Sequence, residues 1–343
     1  MLAAAPAVHT HSWHDTLHHA PGGGFRNPWP LKAVPDEDVP SRLEALRWLL
    51  SFPHRSRRKA HAPTLCVRCA PATLAAPVPD GAARVTWLGH ATCLVQLSGL
   101  NVLTDPVFAE RASPFSFMGP RRQATLPLDP ADLPPVHLVL LSHDHYDHLD
   151  AAALRALQAR HRPRFVVPLG VDRRLPAGWD VTVLDWGQYV DTRGLRVHCA
   201  PARHFSGRSL RDRNSTLWAS YYLEPLAGDA PTVYYAADSG YAPHFRLVRE
   251  EIGAPDLALM PVGAYLPRWF MRPVHVDPPE ALDALADLGA RAMVPIHWGT
   301  FDLADEPLDE PPQRLREEAE ARGVADRVCL LPVGGTTTIT RGA

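Results

Sequence analysis

The sequence predicts an α/β domain built as a four-layer αββα sandwich, with two mixed sheets packed face to face and helices on both outer sides. Three observations predict it. Short β-type runs recur from Arg84 onward, at 84–88, 92–97, 101–104, 136–142, 164–168, 181–184, 195–199, 217–223, 232–236, 257–261, 292–296 and 327–331. Helical patterns at 150–160, 242–252 and 279–289 fall between only some of these runs, so strand–turn–strand and strand–helix–strand units are mixed. Finally, the stretch TCLVQLSGLNVLTD, ending in Asp105, is echoed by TLWASYYLEP…TVYYAAD, ending in Asp238. A duplicated half with two facing sheets would produce that echo.

Ahead of the domain, residues 1–24 end in Gly22-Gly23-Gly24 and read as a flexible tail carrying His9, His11, His14, His18 and His19. Residues 25–80 read as an N-terminal arm, and 81–343 as the catalytic domain. Within the arm, Ser41 to Phe52 has a helical pattern, with Ser41 as N-cap, Glu44 three residues on, and Leu43, Leu46, Leu49 and Leu50 on one face. Pro53 stops it, and Arg55, Arg57, Arg58 and Lys59 follow. This segment fits peripheral binding to a membrane surface, and equally packing against the domain or a homodimer partner.

Composition narrows the class. Over 343 residues the chain is 46% hydrophobic and 21% charged, enough to bury a sizeable core. A net charge of −2 gives no field that recruits nucleic acid. The five cysteines are odd in number and form no framework spacing, which fits a reducing compartment; Cys66-x-x-Cys69 lacks a second pair. The start has no basic region before its short apolar run, and no stretch reaches the length of a membrane span. A cytoplasmic protein, peripheral on the inner face of the membrane at most, is expected.

The 18 histidines are too many for core packing alone. The segment Ser142-His143-Asp144-His145-Tyr146-Asp147-His148-Leu149-Asp150 follows an apolar run and leads into a helical pattern. In extended backbone His143 and His145 share a side, and as the chain bends, Asp147 and His148 turn toward a neighbouring position. Four ligand-type side chains so close together suit two metals in one pocket, whereas structural zinc sites are closed tetrahedra dominated by Cys. Imidazole with carboxylate favours zinc, with iron and manganese compatible. His204, Asp238 and His297 each stand just beyond the C-terminal end of a β run. A lone His there is ordinarily a structural residue, but with the central cluster present all three can converge on one rim.

These motifs resemble the metallo-β-lactamase superfamily. More narrowly, WLGHAT (87–92), LTDPVF (103–108), RASPFSFMGPRR (111–122), LSHDHYDHLD (141–150), GAYLPRWFM (263–271), HVDPPEA (275–281) and HWGTF (297–301) are similar to the N-acyl-phosphatidylethanolamine-hydrolysing phospholipase D family over about residues 25–320. The resemblance implies one metal on His143, His145 and His204, a second on Asp147, His148 and His297, and Asp238 bridging them. It makes Asp105 a support that fixes a ligand imidazole. Flavodiiron-type members carry an acid where His145 stands, and thioesterase-like members carry Gly soon after the last His, where this chain has Leu149-Asp150. Val274 departs from the mammalian pattern, which has Gln before the His of the HVDP segment.

The implied reaction is phosphodiester hydrolysis of a phospholipid, releasing N-acylethanolamine and phosphatidic acid. Two divalent cations would supply an ionisable water and neutralise phosphoryl charge. Asp147 or Asp238 would orient that water, and His275 is the candidate to protonate the leaving group. Arg268 reads as a headgroup contact or as a packed corner with Trp269. A lactonase or phosphodiesterase for soluble phosphorylated metabolites, similar to the ascorbate-6-phosphate lactonase branch, is the alternative. A non-catalytic metal-bound scaffold is the third reading.

Overall fold

Apolar side chains alternate along the strands with period two, and both faces of each sheet are covered. The computed structural model describes residues 6–29, 47, 65–209 and 211–341. The strands are β1 (Val8–Thr10), β2 (Ala82–Gly89), β3 (Thr92–Leu97), β4 (Leu100–Thr104), β5 (Leu138–Leu140), β6 (Arg164–Pro168), β7 (Val181–Leu184), β8 (Gln188–Thr192), β9 (Leu195–Ala200), β10 (Ser220–Pro225), β11 (Val233–Tyr235), β12 (Leu257–Pro261), β13 (Ala292–Ile296) and β14 (Thr336–Thr340). The helices are α1 (Pro71–Ala75), α2 (Ala151–His161), α3 (His244–Glu251), α4 (Arg268–Met271), α5 (Pro278–Leu288) and α6 (Glu310–Ala321).

Two sheets of seven strands result, ordered β14-β2-β3-β4-β5-β6-β7 and β1-β8-β9-β10-β11-β12-β13. In β3, Cys93, Val95 and Leu97 face the partner sheet, while Leu94 faces outward toward α2 with Leu103, Val139 and Leu157. In β12, Leu257 and Leu259 enter the inter-sheet core, and Ala258 and Met260 meet the layer carrying Phe245, Leu285 and Leu315. This is the metallo-β-lactamase fold, with the layers in the expected αββα arrangement.

The echo in the sequence has a topological counterpart. β3 and β4 pair antiparallel and β4 is then parallel to β5. Likewise β10 and β11 pair antiparallel and β11 is parallel to β12. Asp105 and Asp238 follow the equivalent strands β4 and β11.

Helix ends follow local chemistry. Asp150 caps α2 by accepting from the amides of Ala152 and Ala153. Asp277 caps α5 through the amide of Glu280, with Pro278 in the first turn and Gly289 left-handed at the end.

Several expectations need correction. The run 327–331 is not a strand: Val328 makes one isolated bridge to Met293, and the pairing strand is β14, whose threonines lie along β2. A threonine-rich strand on a half-exposed edge carries little apolar signal. Strand β8 and helix α6 were hidden for the same reason, since α6 buries only Pro311, Leu315 and Ala319. Residues 6–24, expected within a solvated tail, lie on the domain. β1 pairs with β8, and His18 is buried beneath a ring stack with Trp186. The Ser41–Phe52 helix and the basic cluster at 55–59 fall outside the described residues, Arg47 excepted. No helix among the described residues is long and apolar enough to cross a membrane.

Cys66 and Cys69 donate to the carbonyls of Thr125 and Gly334. Burial pushes the Cys69 thiol up to about 11, which disfavours the thiolate that redox or metal chemistry needs. Among the described residues neither belongs to a metal-type cluster.

Candidate metal centre

Parallel strands deliver their C-terminal ends to one edge of the sandwich, and the predicted residues meet there. After β5 the chain leaves the sheet at Ser142 and makes a helical turn, in which the amide of Leu149 donates to the carbonyl of His145 at 2.9 Å. That turn carries His143, His145, Asp147 and His148. His204 follows β9, Asp238 follows β11 and His297 follows β13.

The side chains form two clusters. In the first, His143 Nε2 is 2.9 Å from His145 Nδ1, and His204 Nε2 is 3.3 Å from the same atom. In the second, His90, Asp147, His148 and His297 bring one donor atom each within 4.8 Å of one another. Asp238 lies between them, 3.1 Å from His148 Nε2, 3.1 Å from His297 Nε2 and 3.7 Å from His204 Nε2.

Distal nitrogens fix which ring atom faces inward. His204 Nδ1 is 3.0 Å from the Val274 carbonyl, and His148 Nδ1 is 2.7 Å from Asp105 Oδ2. Position 274, where the side chain departs from the mammalian pattern, thus contributes through its backbone. Asp105 also accepts from the Ser142 amide at 2.7 Å, from the Ser142 hydroxyl, and from Tyr235 at 2.5 Å. One buried carboxylate joins β4, the ligand loop and β11.

His90 is the residue that sequence reasoning missed. It stands in WLGHAT, directly after β2, and its Nε2 is 2.9 Å from Asp147 Oδ2. Its carbonyl accepts from the His297 amide at 2.9 Å. The available signal was its position at a strand end. His90, Asp105 and His297 share left-handed backbone (φ 52°, 29° and 64°), a conformation costly for residues with a Cβ and concentrated at functional sites.

Charges of opposite sign within the centre offset the cost of burying them. Burial opposes ionisation of Asp147 and Asp238, yet the surrounding imidazoles outweigh it and hold both carboxyls well below the usual range. Burial likewise opposes charge on His148 and His297, but Asp238 and Asp147 pull His148 well above its ordinary value and His297 up to about 9. Burial lowers His145 to about 4 and His204 to about 3, keeping them as the neutral imidazoles that ligate metals.

Three atoms test the fit directly. His148 Nε2, His297 Nε2 and Asp238 Oδ1 are buried, and although these side chains approach one another to 3.1 Å, none of the three atoms makes a well-aligned hydrogen bond among the described residues. Buried polar atoms are rarely left so, and a divalent cation would satisfy all three. The residues present fit the metal ions that the fold implies.

His275 is buried beside this centre, with Nδ1 4.0 Å from Asp238 Oδ2. Burial lowers it to about 3, so it rests as a neutral imidazole. Arg268 is committed elsewhere: it bonds Glu280 Oε2 at 2.5 Å and the His275 carbonyl at 3.0 Å. That arrangement is the packed corner, and it holds the backbone of His275.

Comparison with known proteins is consistent with this geometry. Residues 100–298 match the model of the beta-lactamase superfamily domain. An uncharacterized protein of Mycobacterium tuberculosis is 41% identical over 300 residues, covering 84% of this chain and 76% of that protein. The N-acyl-phosphatidylethanolamine-hydrolyzing phospholipase D 1 of Caenorhabditis elegans is 39% identical over 251 residues, covering 69% of this chain and 70% of that protein. In structure, a possible metal-dependent hydrolase from Veillonella parvula superposes with a TM-score of 0.61 at 18% identity, over 75% of this chain and 99% of that one. That likeness carries the fold alone.

Proposed function

This chain belongs to the beta-lactamase superfamily and is a metal-dependent hydrolase of the metallo-β-lactamase fold, and from that premise we propose that it is a dinuclear phosphodiesterase of the phospholipase D type. The substrate we propose is N-acyl-phosphatidylethanolamine, cleaved to N-acylethanolamine and phosphatidic acid. The observation that carries the dinuclear reading is Asp238, placed between two ligand clusters and near ring nitrogens of both. The phospholipid is supported by the phospholipase D relative, whose similarity spans most of both chains.

In this reading His143, His145 and His204 hold one ion, Asp147, His148 and His297 hold the other, and Asp238 serves both. Bound there, divalent ions supply Lewis acidity toward phosphoryl oxygens and a water that ionises near neutral pH; zinc suits the imidazole–carboxylate donor set. Asp147 is oriented by His90, and as an ionised carboxylate it would accept a hydrogen bond from the attacking water and orient it. His275, neutral at rest, would donate an N–H hydrogen bond to the leaving oxygen, which takes its proton from solvent water. Arg268 fixes its backbone from below.

The test is product analysis on vesicles of N-acyl-phosphatidylethanolamine, using zinc-loaded protein and an Asp238→Asn control. Phosphatidic acid and N-acylethanolamine released in equal amounts, and lost in the control, would support the reading. Absence of turnover by protein shown to hold its metal would overturn the lipid substrate.

A further inference from the structure

A second cluster of ligand-type side chains, separate from the catalytic clusters, lies where the N-terminal segment meets the C-terminal end of β7. His18 Nε2 is 2.6 Å from Asp185 Oδ1, and His19 Nε2 is 2.8 Å from Asp185 Oδ2. The three residues offer donor atoms within 4.8 Å of one another, as the catalytic clusters do. We propose that His18, His19 and Asp185 form a separate divalent-cation site of the zinc-binding kind, which fastens the N-terminal segment to the domain.

Two features favour an ion over a pair of hydrogen bonds alone. The His18 and His19 rings lie 4.6 Å apart at 74°. That matches the ligand pairs of the catalytic centre, His143–His145 at 4.5 Å and 81° and His143–His204 at 4.8 Å and 74°. Both imidazoles aim the same nitrogen at one carboxylate, and two nitrogens with one oxygen, leaving a position for water, is a common open zinc set. Imidazole donors disfavour calcium and magnesium.

The donors are also held in place before any ion arrives. His18 is buried and stacked 4.3 Å from Trp186, and its Nδ1 lies 3.9 Å from Asp15 Oδ1. Asp185 is fixed through Gln188, whose side-chain oxygen accepts from the Asp185 amide at 2.8 Å. The His19 side chain keeps 38% of its surface exposed, which gives an ion and its water a path in.

The site is linked to the catalytic clusters through the chain it ties down. Eight residues beyond His19 in the sequence, Asn27 donates from Nδ2 to the His204 carbonyl at 2.9 Å. Fixing residues 18 and 19 therefore fixes a segment that supports the backbone of His204.

The experiment compares the full-length chain with His19→Gln and Asp185→Asn after zinc loading and desalting. Metal analysis is expected to find one equivalent fewer per chain in each variant, with circular dichroism unchanged. Amide exchange across residues 6–29 is expected to slow on zinc addition in wild type and in Asp238→Asn, but not in His19→Gln. Equal zinc counts in wild type and both variants, or exchange that zinc leaves unaltered in wild type, would overturn the site and leave only hydrogen bonds. The Asp238→Asn arm separates this outcome from any failure of the catalytic reading.

Discussion

Asp105 and His148, 43 residues apart in the sequence, meet as a fully buried pair with Asp105 Oδ2 2.7 Å from His148 Nδ1. The contact fixes the His148 tautomer, so that Nε2 faces Asp238 and the second cluster. Asp105→Asn keeps the volume but removes the acceptor charge shared by Ser142, His148 and Tyr235. Metal affinity should fall by about 10–100-fold. Competition against a chromophoric zinc chelator measures it; an unchanged affinity would remove Asp105 from the support of the site.

Gly263 shows how closely the next element approaches a ligand. A Cβ built there would lie 2.1 Å from the His297 carbonyl oxygen, a backbone atom with no freedom to step aside. Gly263→Ala is expected to displace His297, with loss of about 1–3 kcal/mol of stability from overpacking and loss of zinc from the second cluster. Denaturant melts and metal counts on the purified variant check both parts.

Chelation should cost stability as well as activity. In the metal-free centre the buried atoms of His148, His297 and Asp238 have only poorly aligned charge contacts with one another. An ion present at 100 times its dissociation constant stabilises by about 2.7 kcal/mol. At about 2–4 °C per kcal/mol for a domain of this size, removing one such ion should lower Tm by roughly 5–10 °C. Scanning calorimetry with and without chelator measures the shift, and re-addition of zinc should restore it.

The ligand loop is also clamped from outside by a charged network. Arg208 donates to the carbonyls of Asp144 at 2.7 Å and Leu149 at 3.1 Å, and Arg174 joins Asp144 to Asp212. Burial opposes ionisation of Asp212, but bonds from Ser209, Arg208 and Arg174 outweigh it and hold the carboxyl down at about 2. A depressed folded value means the contribution is complete above the unfolded carboxylate value of about 3.9 and is lost as pH falls toward 2. The stability difference between wild type and Asp212→Asn should therefore be constant from neutral pH to about 4 and shrink below it. Urea melts across that range test the sign; a difference that grows on acidification would contradict it.

Most of the residues that meet at the candidate centre could be picked out in the chain because ligand-type side chains are concentrated there. The segment from His143 to His148 carries four ligand-type groups, and His204, Asp238 and His297 each sit beyond an apolar run that betrays a strand. His90 sits in the same kind of position but alone, and no local pattern separates a single imidazole after a strand from a structural one. Only the 2.9 Å approach to Asp147 does so. For Arg268 the chain left two readings open, a headgroup contact and a packed corner, and the structure pairs it with Glu280, twelve residues on, in the corner.

By itself, the sequence determined the four-layer class, the alternation of the central strands and the dominant ligand cluster, because burial of apolar faces and metal-type spacing are local properties. Tertiary structure alone decided the pairing of polar strands such as β8 and β14, each of which takes a partner from a distant segment. It also decided where the histidines of the N-terminal segment go. His18 and His19 look like a solvated tail until Asp185, 167 and 166 residues away, supplies the carboxylate between them. Long-range pairing of this kind leaves no periodic trace in the chain, since it depends on which surfaces meet after the two sheets have packed.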